Sequence, residues 1–174
     1  MNINDFKLIV GLGNPGEKFN HTRHNTGFMF LNFLAEKHSI TWTNAKRFQA
    51  QLTQLDNTYL LKPQTFMNNS GLSVRLFRQK NGLKNYKKFL VVHDELDINL
   101  GKYKLSLSKS SALHKGVASI EKELGTDQFW RLRIGTENRQ LSQQIPGEDY
   151  VLQKFSKEEL QVLEKSFIKI VSGC

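Results

Sequence analysis

KLIVGLGNPGEKFNHTRHNTG, at residues 7–27, joins an apolar strand-like run to a glycine-rich turn and then to a polar segment that leads into a helical pattern. A strand that opens into a tight turn ahead of a helix is typical of α/β proteins, in which ligands bind beyond the carboxyl ends of the strands. The glycines allow the turn to present the Asn14 side chain across that edge. His24 stands just before the helical pattern, and we expect it to face the same cleft.

Strand-like and helix-like patterns alternate along the rest of the chain. The predicted strands are Lys7–Gly11, Phe48–Leu55, Tyr59–Leu61, Phe89–His93, Lys102–Leu107 and Phe129–Gly135. The predicted helices are Phe28–Glu36, Ser70–Gln79, Val117–Leu124 and Ser156–Val171. The last helix begins at a capping box, with Ser156 as the N-cap and Glu159 as its partner. The alternation predicts one domain over residues 1–174, of the α/β class, with a mixed twisted β-sheet flanked by helices.

The composition is typical of a globular protein of a reducing compartment. The chain has 174 residues, of which 39% are hydrophobic, and this is enough for one core. Its single cysteine, Cys174, rules out a disulfide within the chain. No apolar run reaches the length of about 18 residues that a membrane span needs. The opening residues, MNINDF, lack the apolar segment of a secretory signal. We therefore expect a cytoplasmic location and no membrane partner.

The formal net charge is +9, and the basic residues are concentrated in two blocks. Residues 57–93 contain no acidic residue but carry Lys62, Arg75, Arg78, Lys80, Lys84, Lys87 and Lys88. Residues 101–139 carry four acidic residues against Lys102, Lys104, Lys109, Lys115, Lys122, Arg131, Arg133 and Arg139. Such an excess attracts polyanions through their phosphates. Its position on both sides of the polar clusters favours a nucleic acid over a merely solvated basic face.

The glycine-rich turn also fits a second interpretation. Residues 11–16, GLGNPG, match the G-x-G-x-x-G pattern of dinucleotide-binding proteins and follow a strand. That pattern requires a helix to begin inside the turn, whereas residues 17–25 are polar and have no apolar helical face. It also requires an acidic residue at the end of a second strand, and Glu36, which has a suitable spacing, lies in a helical pattern. These departures favour a turn that positions Asn14, and we expect no nucleotide cofactor.

A histidine and a carboxylate at the ends of apolar segments suit the hydrolysis of an ester or amide by water. His24 is a candidate general base, because an imidazole has an ordinary pKa of about 6.5. Asp94 directly follows a strand-like run and could orient that base. Glu95 and Asp97 are alternative carboxylates, and the spacing does not choose among the three.

Two amides complete the candidate site, and other chemistries lack their patterns. Asn14 and Asn68 could hold a substrate and donate hydrogen bonds to a developing oxyanion. No histidine pair has the spacing of a zinc motif, and no G-x-S-x-G turn supplies a serine nucleophile. We therefore expect neither a metal site nor a Ser or Cys nucleophile. The remaining histidines have no assigned role, namely His21, His38, His93 and His114.

Several motifs occur together in the order and spacing of one protein family: GLGNPG and TRHNTG, then TFMNNSG, HDELD, RLRIG and DYVLQKFSKEE. From about Lys7 to the C-terminus, the chain resembles the bacterial peptidyl-tRNA hydrolase family. The resemblance implies a monomeric α/β domain built on a mixed twisted sheet, with no need for a metal ion. It also implies hydrolysis of the ester that joins a stalled peptide to the terminal ribose of its tRNA, which recycles the tRNA.

The resemblance also implies roles for individual residues. It places His24 as the catalytic base and Asp94, rather than Glu95 or Asp97, as its carboxylate partner. The substrate-binding positions are Asn14, Phe66, Met67 and Asn68. The tRNA-binding positions that it implies are Lys102, Lys104 and Arg133, and we expect Lys115, which departs from the family pattern, to join them. Peptidyl-tRNA, contacted at its acceptor end and along its backbone, is the implied partner.

Two features depart from the family pattern. Where the family has a loop like GSAGGHNG, residues 109–116 read KSSALHKG, so that Lys115 replaces an asparagine and the loop is expected to take another path. An inward Lys115 would lower the pKa of His24, whereas an outward one would add a phosphate contact. The cost of burying an unpaired ammonium favours the outward orientation. The chain also ends at Cys174, roughly one helix before the usual pattern, which predicts a shortened C-terminal end.

Two other functions stay open at this point. A catalytically weak relative could act as an RNA-binding protein of the splicing type, and the altered loop favours that alternative. An unrelated α/β hydrolase of small esters would share the base and the amides, but it would leave the basic surface unexplained. The presence of both His24 and Asp94 favours the hydrolase of peptidyl-tRNA.

Overall fold

β1 (Leu8–Gly11) runs through the centre of the molecule with all of its residues buried. The computed structural model describes residues 2–108, 114–140 and 144–173. A parallel strand that is covered on both faces has a continuous apolar run rather than an alternating one, and β1 shows this pattern. It pairs in parallel with β4 (Thr58–Pro63) on one side and with β5 (Phe89–Asn99) on the other. The central strand thus ends between two strands that continue beyond it.

Further strands extend this centre into a seven-stranded sheet within the described residues. β3 (Ala50–Leu55) is antiparallel to β4, and β2 (Thr43–Ala45) is antiparallel to β3 at one edge. On the other side, β7 (Trp130–Glu137) is parallel to β5, and β6 (Tyr103–Leu107) is antiparallel to β7. The strand order is β2-β3-β4-β1-β5-β7-β6. The sheet is therefore mixed, as predicted, with a parallel centre and antiparallel margins.

Helices cover both faces of the sheet, because successive residues of a strand point to opposite sides. In chain order they are α1 (Thr26–Lys37), α2 (Ser70–Lys80), α3 (Lys115–Leu124), α4 (Gly147–Tyr150) and α5 (Lys157–Ser172). Ile9 lies in a core with residues of α1 and α5, whereas Leu8 and Val10 lie in a second core with residues of α2 and α3. These layers give the α/β class that the sequence predicts.

α5 begins at the capping box that the sequence predicts. The backbone N–H of Glu159 donates to the Ser156 hydroxyl at 3.2 Å, and the backbone N–H of Ser156 donates to the Glu159 carboxylate at 2.8 Å. These reciprocal bonds satisfy two donors that the start of a helix would otherwise leave open. This local prediction is confirmed.

The structure differs from the predicted elements where tertiary contacts determine the boundaries of a strand and where an element is very short. β5 does not end at His93 but continues to Asn99, because β7 stays paired with it as far as Glu137. The strand expected from Phe48 begins later, at β3, because Lys46–Phe48 forms a 3-10 turn. β2 and α4 were not predicted, since segments of three and four residues are too short to show a period.

A glycine sets how closely α1 approaches the sheet. A Cβ atom at Gly27 would lie 2.3 Å from the backbone nitrogen of Leu12 and 2.3 Å from the carbonyl oxygen of Val92. The Leu12 N–H donates to that same Val92 carbonyl at 2.9 Å, and the Phe28 N–H donates to the Leu12 carbonyl at 3.1 Å. Helix, turn and strand are therefore in direct backbone contact beside the carboxyl end of β1.

No helix in the described ranges combines the length and the apolar character that crossing a bilayer requires. Two features of the sequence lie outside those ranges, namely residues 109–113 of the altered loop and Cys174. The altered path expected for that loop stays a prediction.

We expect Gly27→Ala to lower the free energy of unfolding by about 1–3 kcal/mol, the usual cost of forcing extra atoms into packed structure. Equilibrium denaturation of the purified protein measures this change. Glu36→Ala, at an exposed position of the same helix, is the matched control and should change stability by less than about 0.5 kcal/mol. An unchanged unfolding midpoint for Gly27→Ala would show that α1 can move away from the sheet at little cost.

Candidate active site

A cleft of about 720 Å³ opens at the carboxyl ends of the central strands. β1 ends at Gly11, opposite Val92, while β5 continues, so side chains further along β5 stand at the edge of open space. Most of the residues singled out in the sequence line this cleft, namely Asn14, His24, Phe66, Met67, Asn68, Asp94 and Lys115. The structure therefore brings the catalytic and substrate-binding candidates into one site.

His24 and Asp94 are in direct contact. The Nδ1 atom of His24 lies 3.0 Å from Oδ1 and 3.1 Å from Oδ2 of Asp94. His24 belongs to the 3-10 turn Arg23–Asn25 ahead of α1, where its backbone N–H donates to the carbonyl oxygen of Val151 at 2.7 Å. An ionised carboxylate only accepts hydrogen bonds, so Nδ1 carries the proton and Nε2 keeps its lone pair. This is the tautomer that a general base requires.

The geometry distinguishes among the three carboxylates that the sequence left open. Asp94 is 2% exposed and contacts His24. Glu95 instead accepts a hydrogen bond from Arg133 at 2.9 Å, and Asp97 is exposed. Asp94 is therefore the carboxylate that the fold places beside the base.

His114 is a second imidazole on the same carboxylate, and its sequence pattern predicted no role for it. Its Nε2 lies 2.9 Å from Oδ1 of Asp94. Its Nδ1 accepts the backbone N–H of Val117 at 3.3 Å, so His114 is the N-cap of α3 and the proton is on Nε2. The ring centroids of His114 and His24 are 4.9 Å apart. The available signal was its position directly before an apolar helical pattern, where a capping residue stands.

The charges of this cluster shift pKa values in opposite directions. Burial lowers the pKa of His24, and so does the charge of Lys115. The charge and the hydrogen bond of Asp94 together outweigh both effects, so the net pKa lies above 6.5. Burial opposes ionisation of Asp94, yet His24 and His114 hold its pKa well below its usual range. Burial and the charge of His114 lower the pKa of His93 to about 3, so that this neighbouring ring is neutral.

Asn14 is held in an orientation that leaves a donor for a ligand. The Asn25 side chain accepts the backbone N–H of Asn14 at 2.8 Å and donates to the Asn14 carbonyl at 3.0 Å. The Asn14 Oδ1 atom accepts the backbone N–H of Met67 at 2.8 Å, which leaves its Nδ2 group as a donor toward the cleft. Asn25, which no sequence motif singled out, thus fixes the glycine-rich turn.

Residues 66–68 contribute three different surfaces to the cleft. Phe66 is 60% exposed at the rim, with its ring centroid 6.4 Å from that of Phe19. The Met67 side chain is buried in the core that also contains α2 and α3, so its polar contribution is the backbone N–H bonded to Asn14. Asn68 is exposed and lines the cleft. An exposed ring and an exposed amide beside a base suit a peptide chain.

Lys115, which stands where the family pattern has an asparagine, lies at the mouth of the cleft. Its side chain is 70% exposed, and its Nζ is 3.9 Å from a carboxylate oxygen of Glu148 on α4. The outward orientation favoured by desolvation is the one observed. The charge of Lys115 nevertheless lowers the pKa of His24, although the side chain is turned outward.

Lys102, Lys104 and Arg133 lie on the face next to the cleft. Lys104 is opposite Arg133 across β6 and β7, and both lysines are exposed. Arg133 differs from them, because its guanidinium is bonded to Glu95 and its side chain is 12% exposed. Glu95 also lines the cleft, so this ion pair connects the cleft to the part of β7 that lies opposite Lys104.

The first basic block does not form one surface beside the cleft. Lys62 is buried, and Arg75 is engaged in an ion pair. Lys84, Lys87 and Lys88 precede β5 and therefore lie at the amino end of the sheet, away from the cleft. These five residues therefore do not form one basic surface beside the cleft, because burial and strand direction cannot be read from charge alone.

Arg23 anchors the turn that carries His24, and no local pattern indicated it. Its side chain is 6% exposed, and its guanidinium donates to the Glu159 carboxylate at 2.5 Å. It also lies 4.1 Å from the ring centroid of Tyr150 and 4.9 Å from that of Phe155. The turn is thus fixed to the start of α5 by a buried ion pair and two aromatic contacts.

The histidine–carboxylate cluster is also a group within the described ranges that could hold a metal ion. The ligating atoms of His24, Asp94 and His114 lie within 4.8 Å of one another. Each imidazole already donates a proton to the carboxylate, so these atoms have their partners. A metal bound to Nδ1 of His24 would place the remaining ring proton on Nε2 and remove the base. The donor arrangement therefore fits proton transfer better than metal binding.

Known proteins share this sequence pattern. A profile of the peptidyl-tRNA hydrolase family matches residues 8–174. A protein named peptidyl-tRNA hydrolase from Desulfitobacterium hafniense (strain Y51) is 42% identical over 166 residues, which cover 91% of this chain and 85% of that protein. One of the same name from Mycoplasma mycoides subsp. mycoides SC is 40% identical over 169 residues, which cover 93% and 87%.

Known structures share the fold. The crystal structure of peptidyl-tRNA hydrolase from Acinetobacter baumannii superposes with a TM-score of 0.86 at 32% sequence identity, and the match covers 99% of this chain and 88% of that one. Profile, relatives and fold show that this chain belongs to the peptidyl-tRNA hydrolase family.

Proposed function

We propose that this protein hydrolyses the ester bond of peptidyl-tRNA and releases free peptide and tRNA, with His24 as the general base. The 3.0 Å contact between Nδ1 of His24 and Asp94 carries the proposal, because it leaves Nε2 unprotonated. Membership of the family supports the choice of substrate. The consequence would be the recycling of tRNA from stalled translation.

The reaction follows from the positions of these groups. A water between Nε2 of His24 and the ester gives up a proton to Nε2 while its oxygen attacks the carbonyl carbon. Asp94 stabilises the imidazolium that forms, and the amide of Asn14, joined by that of Asn68, donates to the developing oxyanion. Collapse breaks the bond to the ribose oxygen, which takes the proton from His24. The proton taken from water thus ends on the ribose oxygen, and no step of this scheme uses a metal ion.

His114 has a positioning role in this scheme. It donates to the same Asp94 oxygen that faces His24, so the carboxylate is held from two sides. Its own orientation is fixed by the backbone N–H of Val117 at the start of α3. Rotation of Asp94 away from the base would cost both hydrogen bonds.

The surroundings of the cleft suit the two parts of the substrate. Phe66 and Leu152 are 60% and 47% exposed, and they offer apolar surface to the peptide. The exposed Lys102, Lys104 and Lys115 offer cations to the tRNA backbone. We assign Arg133 to the same tRNA-facing surface, where its bond to Glu95 limits the charge that it presents.

The RNA-binding alternative predicts the same basic face without hydrolysis. The altered loop favoured that alternative, but Lys115 leaves the contact between His24 and Asp94 in place, which supports the enzyme. A monomeric state, a cytoplasmic location and a single domain over residues 1–174 stay predictions.

We expect His24→Ala to slow the release of tRNA from peptidyl-tRNA by about 10²–10⁴-fold, the usual effect of losing a general base. Single-turnover assays with labelled substrate measure the rate, and circular dichroism checks the fold. His38→Ala, at the exposed end of α1, is the control and should retain normal turnover. Normal turnover by folded His24→Ala protein would contradict the role of His24 as the base. If the unaltered protein binds peptidyl-tRNA but releases no tRNA from it, the RNA-binding alternative is favoured.

Asp94→Asn should slow turnover by about 10²-fold or more and move the acid limb of the pH–rate profile to lower pH. Only neutral His24 acts as a base, so the rate rises as pH passes its pKa. Asp94 raises that pKa, which puts the limb of the unaltered enzyme above pH 6.5, and the amide removes the effect. Asp97→Asn, an exposed change in the same cleft, should leave the limb nearly in place. An unmoved limb in Asp94→Asn would contradict the assigned pairing.

The affinity for tRNA should fall steeply with salt, with a slope that reports the number of phosphates that the protein neutralises. Changing Lys102, Lys104 and Lys115 together to Gln should reduce the slope of log affinity against log salt by about one for each phosphate that is no longer neutralised. The matched triple change of Lys84, Lys87 and Lys88 to Gln, at the opposite end of the sheet, should leave the slope unchanged. The reverse result would place the tRNA at the amino end of the sheet.

A further inference from the structure

A second cavity, of about 370 Å³, lies on the other side of the glycine-rich turn and is called the Lys62 cavity below. It is bordered by that turn, α1, β3 and β4, and Asn14 lines both this cavity and the catalytic cleft. Lys62 lines it as a cation that is only 5% exposed. Carboxamides dominate the rest of its polar lining, namely Asn14, Asn20, Asn25, Asn32, Gln51 and Gln64.

Lys62 has no carboxylate partner within ion-pair distance in the described residues. Its Nζ donates to Oδ1 of Asn32 at 2.6 Å and lies 3.9 Å from the ring centroid of Trp42. Burial lowers the pKa of Lys62 to about 8, so the side chain is still mostly protonated at neutral pH. It is thus a buried positive charge held by neutral groups alone.

Two neighbours of Lys62 have donors without a protein acceptor in the described residues. The Nε1–H of Trp42, whose ring packs against Lys62 but does not line the cavity, is buried without a hydrogen-bond partner. The Oδ1 of Asn32 is taken by Lys62, which leaves the Nδ2 group of Asn32 as a donor. Buried charges in proteins are normally paired, and an apolar side chain would fill this position at a lower desolvation cost. A cation with spare donors and no anion indicates a site for an anionic ligand.

We propose that the Lys62 cavity binds a phosphate group, supplied by a nucleotide at the 3′ end of the tRNA. The inference rests on the proposed function, because the phosphodiesters nearest the ester are the anions that the substrate brings to this edge. Asn14 separates the cavity from the cleft, so a phosphate held by Lys62 would stand next to an ester held beside His24. The carboxamides can donate to phosphate oxygens and to the edges of an unpaired base.

The binding of phosphate by Lys62 has a defined dependence on pH. Its affinity should decline above about pH 8 as the free side chain loses its proton. Among the lining residues, Glu17 and His21 are the other ionisable side chains, whereas α1 faces the cavity with Phe28, Met29 and Asn32 and β3 faces it with Gln51. Glu17→Gln and His21→Gln should each keep the decline, which assigns it to Lys62.

Titration with three probes tests the ligand class directly. Nuclear magnetic resonance should show that cytidine 5′-monophosphate and inorganic phosphate shift resonances of residues in the Lys62 cavity, while cytidine alone does not. Affinity for the monophosphate should fall by about tenfold from pH 7 to pH 9, as the charged fraction of a group with a pKa of about 8 does. No shift with either phosphate probe would overturn the proposal, as would equal binding of cytidine. If the cavity binds phosphate but deacylated tRNA does not compete for it, the tRNA is not the source of the phosphate.

Two substitutions test the role of the cation. Lys62→Met keeps most of the volume and should weaken phosphate binding at least tenfold, whereas Lys37→Met, at an exposed position of α1, should not. Asn32→Asp supplies an internal carboxylate, so it should stabilise the fold and abolish phosphate binding together. A folded Asn32→Asp protein that binds phosphate normally would show that Lys62 is not the ligand.

Kinetics connect the cavity to the reaction. We expect Lys62→Met to reduce kcat/KM for peptidyl-tRNA at least tenfold more than it reduces kcat/KM for a peptidyl ester of adenosine that carries no phosphate. Equal losses for both substrates would show that Lys62 acts through the fold or the cleft. If the unaltered protein hydrolyses neither substrate, the proposed function fails, while the phosphate titrations still decide whether the cavity binds phosphate.

Discussion

Asp94 is an ionised carboxylate that is 2% exposed, and the whole site depends on how that charge is compensated. A carboxylate taken out of water is costly unless hydrogen bonds and opposite charge replace its hydration. His24 and His114 each supply a hydrogen bond, one from the turn before α1 and the other from the start of α3. These two segments must therefore meet over β5 whenever the carboxylate is buried. The fold and the geometry of the candidate active site thus depend on the same three side chains.

The turn before α1 and the start of α3 can meet over β5 because neighbouring strands have unequal lengths and because glycines allow close backbone contact. β1 stops at Gly11 while β5 continues, which opens the space into which Asp94 is placed. A Cβ atom at Gly11 would lie 2.4 Å from the carbonyl oxygen of Gly27, so the helix that follows His24 rests directly on the strand. The distance between base and carboxylate is thus set by backbone contact outside the cleft.

Features governed by neighbours along the chain could be predicted from the sequence. They include the buried run of β1, the capping box of Ser156, and the placement of His24 and Asp94 at the ends of apolar segments. His114 was missed because its role is defined by a carboxylate on another element. Lys62 was counted with the surface charges, since its burial depends on Trp42 and α1, which the tertiary fold brings over β4.

The ion pair between Arg23 and Glu159 joins positions 136 residues apart. Contacts this distant close late, because the intervening chain must be ordered first. During synthesis the turn with His24 leaves the ribosome well before the start of α5, because 136 residues separate Arg23 from Glu159. A nascent chain therefore contains His24 long before it contains Glu159, whose ion pair with Arg23 fixes the turn that carries His24. The order of synthesis therefore leaves the candidate active site incomplete until the start of α5 has been made.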